Sequence, residues 1–279
     1  MQKKNQMPII DCHVHLNNYG DQINKTVKKS LPLEQRVDSL IQSMSDNNID
    51  YSIILSSYKV DVYRPSTSKI IDITRKYDDK LGIVAGFTID NHTDEDLNNC
   101  RKWLRDGIIK GIKLYCGYEH YYPSDKKYQR VYDLCVEYGS PLMIHTGDVF
   151  LKTAKIKYSH PLNIDDIAVD NPELKIIMCH LGNPWFVDCQ EILYKNANVY
   201  ADISGLTVGS FTSVAERYYL NKIRELLEYL AKPHHSLLYG TDWPICSMSS
   251  YINFVEKLEL NQESRELLMF KNAKSIFRL

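Results

Sequence analysis

Apolar and polar positions along this chain follow two periods that take turns. Residues 33–47, LEQRVDSLIQSMSDN, set Leu33, Val37, Leu40, Ile41 and Met44 on one face, which predicts an amphipathic helix. The next segment, YSIILSS at 51–57, is short and apolar on both faces, the pattern of a fully buried strand. The exchange then repeats. LGIVAGFTI, GIKLY, PLMIHTG, KIIMCHLG, VYADISGL and SLLYGTDWP read as strands. TSKIIDITRKY, DEDLNNCRKWLRD, KKYQRVYDLCVEYG, NIDDIAVD, FVDCQEILYKN and VAERYYLNKIRELLEYLA read as the helices between them. With the opening PIIDCHVHL the strands number eight, and two further helices around 249–259 and 263–276 close the chain.

Strands alternating with helices predict a parallel sheet covered by helices. A chain of 279 residues matches the roughly 250 of a closed (β/α)8 barrel. The expected fold is therefore α/β, a TIM barrel with extra C-terminal helices, and an open doubly wound sheet is the alternative. No Pro- or Gly-rich linker, short repeat or low-complexity tract divides residues 1–279, which predicts one domain.

The polar positions of the first strand carry chemistry. Period-two geometry places Asp11, His13 and His15 on one face and Ile10, Cys12 and Val14 on the other. Two imidazoles on one strand face can converge on one metal ion. TIM barrels keep their chemistry at the C-terminal ends of the strands, so what each strand ends with is informative. Strand 4 carries Lys113 in phase with Tyr115, strand 5 ends at His145, strand 6 at His180 and strand 8 at Asp242. Polar, metal-capable side chains from five strands thus meet at one mouth, whereas His92, His120, His160, His234 and His235 fall in connections. An inward lysine cannot stay an isolated buried charge. Lys113 is expected to pair with Asp11 or Asp242, to shift its pKa, to be carbamylated, or to reach out into the mouth.

Composition narrows the partner. A formal net charge of −1 with 25% charged residues offers no broad basic field for nucleic acid or an anionic membrane, so a small molecule is expected. No stretch is apolar for the length of a membrane span, and MQKKNQMP lacks a signal-peptide core; a soluble, cytoplasmic protein is expected. Seven cysteines at irregular spacings, mostly within predicted strands and helices, read as reduced thiols. No GxGxxG or GxxxxGKS follows any strand, which leaves dinucleotide and P-loop readings without a carrier. The loop YCGYEHYYPSD, with Tyr115, Tyr118, His120, Tyr121 and Tyr122, can line a pocket for a flat or ring-bearing substrate. Arg64, beyond strand 2, can clamp a carboxylate with its fork of donors, and Trp185 and Trp243 can wall the site.

The order HxH on strand 1, Lys on strand 4, His on strands 5 and 6 and Asp on strand 8 resembles the amidohydrolase superfamily. GIKLY, PLMIHTGD, PELKIIMCHLGNPW, VYADISG, LLYGTDWP and the terminal ELLMFKNAKSIFRL resemble its amidohydrolase-related branch, amidohydrolase family 2. TatD-type nucleases share the HxH opening but carry a strand-4 glutamate in a GEIGLD-like segment, from which GIKLY departs. The resemblance implies a divalent ion, zinc being the expected one, held by His13, His15 and Asp242 with His145 as a further ligand. With a second ion, a carbamylated Lys113 would bridge and His180 would ligate. With one, His180 would orient water or stabilise developing negative charge. Asp242 would take the proton from the metal-activated water. The resemblance also implies a homodimer. Three functions follow from it: a zinc-dependent hydrolase of a small-molecule amide, ester or lactone; a metal-dependent non-oxidative decarboxylase of a carboxylated aromatic or muconate-like acid; and, in a different class, a catalytically inactive barrel that binds a small molecule.

Overall fold

Eight parallel strands follow one another in chain order around a ring: β1 Ile10–Val14, β2 Tyr51–Leu55, β3 Leu81–Gly86, β4 Gly111–Leu114, β5 Leu142–Ile144, β6 Ile176–Met178, β7 Val199–Asp202 and β8 Leu237–Leu238. The computed structural model describes residues 7–18, 31–230 and 236–279, so His234 and His235 lie outside the described residues. Each neighbouring pair from β1–β2 to β7–β8 is parallel. The ring closes between β8 and β1 through Cys12 N–H to the Tyr239 carbonyl at 3.0 Å, Asp242 N–H to the His13 carbonyl at 2.8 Å and His15 N–H to the Trp243 carbonyl at 2.7 Å. The structure is thus the TIM barrel and not the open sheet.

Strands apolar on both faces are satisfied by two layers. Outward residues such as Val14, Ile54, Ile83, Ile112, Leu114, Ile144 and Met178 join the larger cluster under the helices. Inward residues Ile53, Leu55, Val84, Met143, Ile177 and Leu238 fill the barrel. The first helix, α1 (Leu33–Asp46), buries Val37, Leu40 and Met44, and Leu33 and Ile41 pack partly buried against the same cluster. The long helix Ser213–Tyr229 starts at Thr212, whose side chain accepts from Ala215 N–H, so the orphan donors of its first turn are met locally. Among the described residues, no helix is long and apolar enough to cross a membrane.

The C-terminal segment has a task that its periodicity does not announce. Gln262–Glu266, a π-helical turn over Leu267–Lys271 and Asn272–Phe277 follow without a break, and Ala273, Ile276 and Phe277 belong to the cluster inside the barrel. Asn272 Nδ2 donates to the Leu237 carbonyl at 2.7 Å and Tyr239 N–H to the Leu268 carbonyl at 2.9 Å. The terminal helix therefore plugs the barrel at its N-terminal end, opposite the mouth where His145, His180 and Asp242 emerge. Phe277→Ala is expected to cost roughly 3–5 kcal/mol of unfolding free energy in a denaturant melt. A loss under about 1 kcal/mol would show that the plug carries no load.

Candidate active site

A β-bulge aims the two histidines. The register runs Ile10 to Tyr51 and Asp11 to Ser52, but then Val14 to Ile54, so β1 carries one extra residue. Below the bulge Ile10 and Cys12 face the barrel interior; above it Val14 faces the helices, and His13 and His15 line the cavity at the mouth. This corrects strict alternation, which grouped Asp11 with the histidines. Asp11 instead staples β1 to the loop after β8, accepting from Thr241 Oγ1 at 2.6 Å, Thr241 N–H at 3.0 Å and His13 N–H at 3.1 Å. Burial pushes its carboxyl up to about 7 against those bonds.

Three acceptor atoms then converge. His13 Nε2 lies 3.3 Å from His15 Nε2, and Asp242 Oδ1 lies 3.2 Å from His15 Nε2 and 3.7 Å from His13 Nε2. His13 Nδ1 donates to Asp202 Oδ2 at 2.9 Å and His15 Nδ1 to the Leu55 carbonyl at 2.8 Å. With both protons committed to Nδ1, no proton stands among the three converging atoms. Asp242 Oδ1 is accordingly buried with no hydrogen-bond partner. Three desolvated acceptors at this spacing repel unless a cation lies between them. Ligand atoms about 2.1 Å from a tetrahedral zinc sit about 3.4 Å apart, so the residues present fit a divalent ion. Imidazoles oriented by a carboxylate and a carbonyl are the usual outer support of such a site.

His180 stands beside this triad, its ring 4.9 Å from that of His13 and 5.1 Å from that of His145. Its backbone and that of Leu181 are left-handed, at φ 64° and 49°, a conformation disfavoured for side-chain-bearing residues. What holds it is Asp202, at the end of β7, whose Oδ1 accepts from His180 N–H at 3.0 Å, Ser204 N–H at 3.1 Å and Ser204 Oγ at 2.5 Å. Ser204 Oγ gives its proton to Asp202, so it accepts from His180 Nδ1 at 2.9 Å, and the Ser204 carbonyl lies 3.2 Å from the same nitrogen. Nδ1 therefore carries the proton and Nε2 is left with its lone pair. Burial lowers the imidazoles of His13, His145 and His180, the last to about 4, so all three are neutral near pH 7. Burial alone would raise Asp202, but the His13 imidazole and the donors around it hold its carboxyl far below the usual range. A Cβ at Gly205, whose φ is +67°, would lie 2.4 Å from His180 Nδ1, which explains the glycine. Ser204→Ala is expected to mix the two tautomers of His180, read as a change in its ring nitrogen chemical shifts. Unchanged shifts would assign the proton to another cause.

The remaining expected residues divide. His145 lines the same cavity, but its Nε2 faces the Asp148 carbonyl at 2.9 Å, and it is not part of the converging triad. Lys113 is inward and buried as expected. Its partner is neither Asp11 nor Asp242 but Cys179, with Nζ 2.5 Å from Sγ. Arg64 and Tyr115 line the cavity of about 190 Å³, with Tyr58, Tyr118 and Asp148. Arg64 is tied to Asp61, and the Tyr115 hydroxyl donates to the Ser56 carbonyl at 2.6 Å. His120 and Trp243 are not among the lining residues. His120 is exposed and bonded to the Thr153 carbonyl, because its loop turns outward beyond Glu119; the Trp243 ring packs against the outer core cluster while its carbonyl closes the barrel. All seven cysteines are free thiols and buried.

Sequence comparison decides the family, since a family model described as Amidohydrolase matches residues 10–279. The chain belongs to amidohydrolase family 2. Among curated proteins none matches it in sequence. Solved structures similar to this chain include an uncharacterised TIM-barrel protein from Bordetella bronchiseptica, at 18% identity over 97% of this chain and 98% of that one with a TM-score of 0.76. A probable 2-pyrone-4,6-dicarboxylic acid hydrolase from Acinetobacter baumannii, with citric acid bound, is 15% identical over 98% and 100% of the two chains, TM-score 0.68. A 5-carboxyvanillate decarboxylase from Novosphingobium aromaticivorans, with bound manganese and a nitrobenzoic acid, is 13% identical over 98% and 97%, TM-score 0.67. At these identities the likeness is one of fold. The family match places the chain in an enzyme family, and the structures similar to it in fold carry different reactions, one of them with bound manganese.

Proposed function

We propose that this family member is a hydrolase of a small-molecule amide, ester or lactone, dependent on one divalent ion, zinc first, at His13, His15 and Asp242. When bound, such an ion polarises the scissile bond and brings the pKa of water down to about 7. The observation that carries the reading is the state of His180: neutral, with its proton on Nδ1 and a lone pair on Nε2 at the cavity. A histidine so held is a general base. Nε2 takes the proton of the attacking water, and the imidazolium that forms is stabilised by Asp242 and Asp202 nearby before it returns the proton to the leaving group. Asp242 holds its second oxygen as an alternative proton acceptor. Arg64 orients an anionic substituent, and Tyr58, Tyr115 and Tyr118, whose rings lie 5.0–6.4 Å apart, wall the cavity for a flat substrate. Engagement of Lys113 with Cys179 supports one ion over a bridged pair.

A second reading is favoured by Arg64 and the tyrosine walls, which suit a carboxylated ring: non-oxidative decarboxylation, as in the similar 5-carboxyvanillate decarboxylase. In that reading the proton that replaces CO2 on carbon comes not from the neutral histidines but from another donor lining the cavity, Lys113 or Tyr118. The test is a panel of lactones, amides and esters alongside carboxylated aromatic acids, assayed with zinc and with manganese. Acid release from the first group, lowered about 10²–10⁴-fold in His180→Asn, is expected. Release of CO2 from the second group with no hydrolysis of the first would overturn hydrolysis in favour of the second reading.

A further inference from the structure

Behind the histidines the barrel holds a pair of side chains that the proposed chemistry leaves unused. Lys113 from β4 is 1% exposed and Cys179, just past β6, is wholly buried, with Nζ and Sγ 2.5 Å apart. That is closer than an ordinary N–H···O hydrogen bond of about 2.9 Å, although sulfur is larger than oxygen. Nitrogen and sulfur that share one bridging oxygen atom sit at about this separation. Burial pushes the Cys179 thiol up and slows its reaction, but its partner Lys113 lines the cavity under the mouth, so an oxidant in the cavity meets one member of the pair. Cys12 shares the same inner layer and supplies the competing thiol.

We infer that Lys113 and Cys179 are a modification site, joined on oxidation by hydrogen peroxide into a covalent Lys Nζ–O–Sγ Cys bridge. One peroxide converts the Cys179 thiol to a sulfenic acid and releases water. A second converts the Lys113 side chain, once it has given up its ammonium proton, to a hydroxylamine and releases another water. The two groups condense: the sulfenic oxygen leaves as a third water, and the hydroxylamine oxygen stays as the bridge. Nitrogen and sulfur each lose two electrons, and each peroxide gains two. The bridge removes an ammonium charge from the cavity wall and ties β4 to the turn that carries His180.

The test is peptide mapping of the intact chain after titration with peroxide, digested with trypsin without reductant. Cleavage after Lys113 is expected to be lost in proportion to the peroxide added. A cross-linked species containing Lys113 and Cys179 appears, with one oxygen more and two hydrogens fewer than its parts, and dithiothreitol reverses it. Cys12→Ala retains the bridge, while Cys179→Ser and Lys113→Arg lose it; the wild-type map decides the matter even where a buried variant fails to fold. The inference is overturned by Cys179 recovered as a free thiol, as a sulfinic or sulfonic acid or as a disulfide with Cys12, with trypsin cutting normally at Lys113. A cross-link without the extra oxygen overturns it equally.

Discussion

Substituting His13 with alanine is expected to abolish the thermal stabilisation that zinc or manganese confers on the wild-type chain. The reason lies in the three acceptors of His13, His15 and Asp242, brought within 3.2–3.7 Å of one another with no proton between them. A bound cation replaces that repulsion with coordination, and at a metal concentration about a hundredfold above Kd it adds about 2.7 kcal/mol. For a chain of this size that corresponds to a rise of roughly 5–10 °C in Tm. With His13 gone, two of the acceptors remain and the shift on adding metal falls to near zero, each variant being compared with its own metal-free form. An equal shift in the two proteins would place the ion elsewhere.

The buried imidazoles of the metal-free wild type should also contribute to its acid response with a defined sign. His13, His145 and His180 are all lowered by burial, His180 to about 4, so the unfolded chain binds protons that the folded chain refuses. Their stability contribution is whole above the unfolded pKa of about 6.5 and is lost as pH falls from there through the folded values. For His180 alone the loss approaches roughly 3 kcal/mol by pH 4. Asp11, pushed up to about 7 by burial, acts in the opposite sense because the folded chain binds its proton first. Denaturant melts after chelation are therefore compared between the wild type and His180→Asn across that window, and the wild type should lose more stability on acidification than the variant. Equal losses in the two chains would mean that the His180 imidazole titrates as it does in water.

The second large effect is expected at Asp202, which binds no substrate. Asp202→Ala removes the acceptor of His13 Nδ1, His180 N–H and both donors of Ser204 in one step. Removing one partner from a buried charged network costs about 3–5 kcal/mol, and loss of the carboxylate behind a ligating histidine weakens metal binding about 10–100-fold. The two effects arise from the same residue but are read separately, one by denaturant melt without metal and the other by titration of the folded variant with zinc. Destabilisation with unaltered metal affinity would show that Asp202 supports the turn at His180 and not the ligand at His13.

These residues also mark the limit of what the chain discloses before it folds. The alternation of strands and helices, the inward Lys113 and the clustering of His13, His15, His145, His180 and Asp242 at one mouth are legible because local periodicity governs them. The bulge in β1 is not, because it rests on Asp11 meeting Thr241, 230 positions away. Asp202 had a signal, a carboxylate at the end of the strand VYADISG, but its role depends on His13, 189 positions away and two strands on around the closed barrel. Lys113 had an expected need for a partner and two carboxylates to choose from; the fold turned Asp11 toward β8 and offered Cys179 instead. His120 and Trp243 were assigned by neighbourhood along the chain, and the chain turned both away from the cavity. The terminal helix carries no mark that its apolar face enters the bottom of the barrel.

The most direct test of the account is anomalous X-ray diffraction at the zinc edge from crystals grown with zinc. One peak is predicted, within about 2.0–2.2 Å of His13 Nε2, His15 Nε2 and Asp242 Oδ1, with Lys113 unmodified. A pair of peaks bridged by a carbamylated Lys113, or no peak at the triad, would contradict it.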